Sequence, residues 1–146
     1  MKTKIFFYVF LAAVLFAFIS CNQNDDDGGG EVIDYPFETL YGSWTSPGKI
    51  GAMGVVHLTV YVSTDKSNEK ITLMDFKTDL ISQTYVCDVT KQSPAVYKVV
   101  WNTFDKTIKV KESEPSDTVT VSIESKNEIY LSSAMMGGKG MSMKRD

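Results

Sequence analysis

Asp117-Thr118-Val119-Thr120-Val121-Ser122-Ile123 alternates polar and apolar residues from Thr118 to its end. Successive side chains of an extended strand point to opposite faces. A period of two therefore sends Val119, Val121 and Ile123 to one side and the threonines and serine to the other. On a helix the same residues would scatter round the whole circumference. Valine, isoleucine and threonine are also β-branched, which favours the pleated backbone. The segment reads as a half-buried β-strand.

The same period recurs upstream and downstream. Val56, Leu58, Val60 and Val62 alternate with Val55, His57, Thr59 and Tyr61. Ile71 and Leu73 follow a polar turn, Thr64-Asp65-Lys66-Ser67-Asn68-Glu69. Ile81, Gln83, Tyr85, Cys87 and Val89 share one face of the next segment, and Tyr97, Val99 and Trp101 share another, with Lys98 directed away. Ile108 and Val110 alternate with Lys109 and Lys111, and Ile129, Leu131, Met141 and Met143 mark the last two strands. Polar or glycine-containing connections fall near residues 47–53, 64–69, 77–80, 91–94, 102–105, 113–116, 124–127 and 135–140. Short loops at this rhythm predict an all-β domain, a single antiparallel meander closing as a barrel or, alternatively, packing as a β-sandwich. Only residues 74–81, with Met74, Phe76, Leu80 and Ile81, suggest one turn of helix.

The N-terminus obeys a different pattern. Met1-Lys2-Thr3-Lys4 is basic, residues 5–20 are apolar almost throughout, and Cys21 follows at once. A membrane-spanning helix needs about 20 apolar residues, so this run is short for one, while its flanks suit a secretory signal peptide over residues 1–20. Asn22-Gln23-Asn24-Asp25-Asp26-Asp27-Gly28-Gly29-Gly30 contains nothing to bury. Residues 21–35 are read as a flexible acidic tether and 36–146 as the folded domain. Thirteen tether residues, 22–34, would span roughly 20 Å on average and about 45 Å at full stretch.

Charge follows the same division. The chain carries 15 basic and 18 acidic residues. Setting aside Lys2 and Lys4, and the acids Asp25, Asp26, Asp27, Glu31 and Asp34, leaves thirteen of each sign in residues 35–146. The acidic balance thus belongs to the tether, and the net-neutral domain has no basic footprint for nucleic acid. About 110 residues support one core.

Two resemblances add to this reading. Phe18-Ile19-Ser20-Cys21 resembles the lipobox of bacterial lipoproteins, with Phe18 standing where that pattern usually has leucine. The resemblance implies lipidation of Cys21, two or three acyl chains, and stable attachment to a membrane, since a single chain holds only marginally. Asn24-Asp25-Asp26-Asp27 resembles the acidic export tag of Bacteroidetes surface lipoproteins. The implied location is the cell envelope: the outer membrane, surface-exposed or otherwise periplasm-facing. With Cys21 acylated, Cys87 has no partner for an intrachain disulfide and is expected to be a buried, inert thiol.

Leu40-Tyr41-Gly42-Ser43-Trp44 resembles the Gly-x-Trp signature of lipocalins and the wider calycins. In that family the glycine lets the first strand bend, the indole closes the barrel floor, and a basic residue of the final strand packs across the ring. The last strand here ends Met141-Ser142-Met143-Lys144-Arg145, so Arg145, with Lys144 beside it, stands where that partner is expected. The resemblance covers residues 36–146 and implies a small lipocalin-like barrel of eight or nine strands. Without it, Trp44 reads as an ordinary core aromatic; both readings bury it.

Little in the chain suggests catalysis. His57 is the only histidine and falls on the outward face. No serine, cysteine or zinc arrangement can be written around it. Glu112-Ser113-Glu114-Pro115-Ser116-Asp117 reads as a solvated turn. Met135, Met136, Met141 and Met143 offer four thioethers in nine residues, a set that suits Cu(I) but suits barrel-wall packing better. The expectation is a non-enzymatic protein without metal or cofactor. It is held to a membrane through Cys21 and binds a small apolar or amphipathic ligand through Gln83, Tyr85, Tyr97 and Trp101. The alternative is a filled barrel that serves as an interaction or structural module for another envelope protein.

Overall fold

The computed structural model describes residues 31–134 and 138–146. The signal segment, Cys21 and most of the tether lie outside the described residues, as do Met135 and Met136. Among the described residues nine strands run in chain order: β1 (Gly42–Thr45), β2 (His57–Thr64), β3 (Lys70–Lys77), β4 (Ser82–Ser93), β5 (Val96–Asp105), β6 (Val110–Lys111), β7 (Asp117–Ser125), β8 (Glu128–Ser133) and β9 (Gly140–Arg145). Every pairing is antiparallel, and β9 returns to β1 with Trp44 opposite Arg145. β4 pairs with β5, so eight strands close into a barrel and β6 is added at the side of β5. Closure pairs the backbone of both would-be edge strands.

Alternation places the core. Val119, Val121 and Ile123 of β7 are buried, as are Leu58 and Val60 of β2, Ile129 and Leu131 of β8, and Met141 and Met143 of β9. Leu40 and Trp44 plug one end, the floor, beneath a short 3-10 turn at Phe37–Leu40. The strands are joined by turns whose chemistry is local. Asp65 Oδ1 accepts from the amides of Ser67 and Glu69, and Asp105 Oδ1 from those of Thr107 and Ile108.

Four local expectations change. Residues 74–77 belong to a strand, because β3 is apolar on both faces: Met74 and Phe76 point inward, while Leu73 packs outside against Val86 and Phe104. Two buried faces imitate a helical distribution. Second, no break occurs at 102–105. β5 continues to Asp105, with Asn102 buried and its amide donating to the Glu112 carbonyl. Third, Ile108 is exposed at the tip of the β5–β6 connection, leaving only Val110–Lys111 as strand. Fourth, Val62 lies half exposed, where β2 extends past its last partner on β1, Val60 opposite Gly42.

The chain also fastens to the barrel earlier than residue 36. The Asp34 carboxylate accepts from Lys91 Nζ and from the Ala95 amide, and the Tyr97 hydroxyl donates to the Tyr35 carbonyl at 2.6 Å. The segment entering from the N-terminal side is thus tied down at the floor.

Candidate functional site

The two ends of the barrel are built differently. At the floor, Trp44 is fully buried and its indole N–H donates to the Leu40 carbonyl at 2.8 Å. The Arg145 guanidinium lies over that ring, 4.3 Å from its centroid, and donates to the carbonyls of Thr39, Tyr41 and Lys126. Gly42 takes φ 125°, and a Cβ there would stand 2.7 Å from an Arg145 nitrogen. A glycine is required both by the backbone conformation and by the closeness of the guanidinium. Phe37 packs edge-on against Tyr97 and completes the seal.

At the opposite end, the mouth, two connections are tied together. The Asp79 amide donates to the Met53 carbonyl, and Thr78 Oγ1 accepts from the amides of Leu80 and Ile81. Gly54 has φ 71°, with the Asp79 carboxylate lying where a Cβ would be. Beneath these loops is a cavity of about 140 Å³, lined by Met53, Phe76, Ile81, Tyr85, Trp101, Asp117, Leu131, Ser133 and Met141. Its aromatic wall is ordered. The Tyr85 and Trp101 rings stack at 4.8 Å with 13° between planes, Phe76 tilts against Trp101 at 5.7 Å, and the Trp101 N–H donates to the Met74 sulfur.

The four side chains expected to share a ligand are separated. Tyr85 and Trp101 line the mouth cavity. Tyr97 is a floor residue, its hydroxyl committed to Tyr35. Gln83 donates to the Thr84 carbonyl and borders a different depression, of about 270 Å³, which also includes His57, Asp75 and Lys106. Asp117, grouped in the sequence with a solvated charged turn, instead continues the inward row of Val119 and Val121 and reaches the mouth. The alternation that found the valines already pointed to it, two residues before Val119.

Electrostatics differ across the surface. Burial pushes the Tyr85 phenol up, and the Asp117 charge adds to that effect. Burial pushes the Cys87 thiol far up, reinforced by Asp88, so the thiol stays protonated and inert. On the outer wall Asp75 accepts from Thr84 Oγ1 at 2.6 Å, from Lys106 Nζ at 2.9 Å and from the Tyr61 hydroxyl. Partial burial alone would raise its carboxyl, but these three donors outweigh it and hold the group below the ordinary aspartate range.

His57 lies exposed beside Thr45 and Asp146. The Thr45 hydroxyl donates to Asp146 Oδ1 at 2.5 Å, so toward His57 Nδ1, 3.0 Å away, it acts as acceptor. A histidine base would need the opposite polarity, taking the hydroxyl proton. Among the described residues no group of three His, Cys, Asp or Glu is close enough to share a metal ion.

The site and fold together define a closed antiparallel barrel with a clamped aromatic floor and a small aromatic cavity at its mouth. The chain matches no protein-family model, and comparison with curated proteins and with solved structures finds no match.

Proposed function

We propose that this chain is a lipid-anchored cell-envelope protein, held to the outer membrane through Cys21, whose lipocalin-like barrel binds a small apolar or amphipathic molecule without catalysis. The observation that carries the binding half is the mouth cavity, walled by Phe76, Tyr85 and Trp101. Its volume matches the size at which an apolar protein cavity accepts a single ring, about 150 Å³. The lipobox resemblance at Phe18–Cys21 supports the anchor. The arrangement of the two ends is consistent with both halves. Asp34 and Tyr35 fasten at the floor, the end opposite the cavity, and leave the mouth uncovered by these two residues.

A second reading has its own observation. Below the mouth the barrel is filled by fully buried side chains, Trp44, Leu58, Val60, Val99, Val119 and Met143 among them. A filled barrel suits an interaction module for another envelope protein. Native mass spectrometry of the full-length protein purified from its own host separates the two. A co-purifying small molecule, lost when Leu131→Trp fills the cavity, supports binding. A ligand-free mass, with no small molecule retained at high protein concentration, favours the interaction module. The same spectrum reads the acyl mass on Cys21 directly.

A further inference from the structure

The mouth cavity is apolar on nearly every side, yet it holds one carboxylate. Among the described residues lining it, Asp117 is the only charged one; the residue is partly buried, and its Oδ2 is buried without a hydrogen-bond partner. A buried carboxylate oxygen left unpaired is costly, and such atoms are rare in native structures. Asp117 sits opposite Trp101 across the β5–β7 ladder, so the stacked Trp101–Tyr85 pair and the carboxylate belong to one wall region. The effect of Asp117 on the Tyr85 phenol reports the same proximity. An aromatic lining attracts cations to its ring faces, and a carboxylate accepts a charged donor more strongly than a neutral one.

We propose that the mouth cavity selects a small organic ammonium ion, one ring or short chain bearing a protonated amine, whose N–H is received by Asp117 against the aromatic wall of Tyr85 and Trp101. This rests on the binding reading given above and narrows it from apolar or amphipathic molecules to amines. An anionic ligand of the same shape is rejected, because its charge would face the Asp117 carboxylate.

Benzylamine and benzyl alcohol have nearly the same shape and differ in charge, so they separate the two claims. In calorimetric titration of the full-length protein, benzylamine is expected to bind about tenfold more tightly than benzyl alcohol, or better, as a cationic donor in place of a neutral one on the same carboxylate requires. Benzoate should not bind. Asp117→Asn, which keeps the side-chain shape but not the charge, should erase the preference, so that the two probes bind the variant with equal affinity. On the unsubstituted protein, nuclear Overhauser contacts from the benzylamine methylene to Tyr85 and Leu131 should place it in the cavity. Equal affinities for the two probes would overturn the amine assignment while leaving a ring-binding cavity. A preference that survives in Asp117→Asn would overturn it as well, by pointing to a carboxylate elsewhere. If neither probe binds, the cavity reading and the amine assignment fall together.

Discussion

The Arg145 guanidinium carbon stands 4.3 Å from the centre of the Trp44 ring, and each of its nitrogens donates to a different backbone carbonyl, those of Thr39, Tyr41 and Lys126. One side chain thereby joins the first strand, the 3-10 turn that precedes it and the β7–β8 turn. Arg145→Ala removes the cation from the ring and leaves three carbonyls to find water. Charged hydrogen bonds and a partly desolvated cation–π contact together suggest a loss of about 2–4 kcal/mol in chemical denaturation. Arg145→Lys keeps the charge but not the planar fork and should recover only part of it. A Lys variant as stable as the parent would show that the fork contributes little.

The mouth depends on a contact of a different kind. At Gly54 a Cβ would stand 1.9 Å from Asp79 Oδ2, and φ is 71°. Gly54→Ala must displace the carboxylate and also strain the backbone, a cost expected to exceed about 1 kcal/mol. Gly54→Ala combined with Asp79→Ala should recover the steric part and retain the backbone part. The double-mutant cycle is therefore predicted to be non-additive in the stabilising direction. Additive losses would show that the two loops adjust independently.

The barrel was legible because its inward rows are nearly pure: Val119, Val121 and Ile123, or Leu58 and Val60, alternate with polar neighbours. Legibility failed where a strand is covered on both faces. Leu73, Val86 and Phe104 form a small outer cluster together with the partly buried Tyr61 and Ile71, so β3 and β4 lose their period of two. The candidate site was half visible. Tyr85 and Trp101 could be assigned to the inward face, but alternation does not tell which end of a barrel a residue occupies. Tyr97 shares a face with Trp101 yet lies at the floor. Asp117 was masked by its neighbours, Glu112, Glu114 and Ser116, whose exposure made the whole run look like solvated turn.

Acid should weaken the outer wall through Asp75. Its folded carboxyl lies below the ordinary range despite partial burial, because Lys106, Thr84 and Tyr61 favour the charged form. A group depressed in the folded state contributes stability that is fully present above its unfolded pKa, about 4, and lost as pH falls through the lower folded value. Stability measured from pH 6 to pH 2 should therefore fall in the acid range, and Asp75→Asn should flatten part of that fall while lowering stability at neutral pH. Asp34 titrates with the same sign, held down by Lys91 and the Ala95 amide. An Asp75→Asn profile parallel to that of the parent would remove Asp75 from the acid response.

Cys87 gives a test that reads the core and the anchor together. The thiol is buried on the inward face opposite Trp101, and burial with the nearby Asp88 keeps it protonated well above physiological pH. Reaction with a thiol reagent requires the thiolate and access to it, so the native protein should not label at Cys87 even at pH 9. Labelling should appear only as denaturant opens the barrel, with a midpoint that follows global unfolding. In protein purified from its own host, acylation at Cys21 predicts no reactive thiol in the native state and one in denaturant. A second thiol, reactive without denaturant, would show Cys21 to be free and would remove the lipid anchor from the proposed function. Labelling of Cys87 well below the unfolding midpoint would instead mean that β4 opens locally at the level of Trp101, where it carries the wall of the mouth cavity.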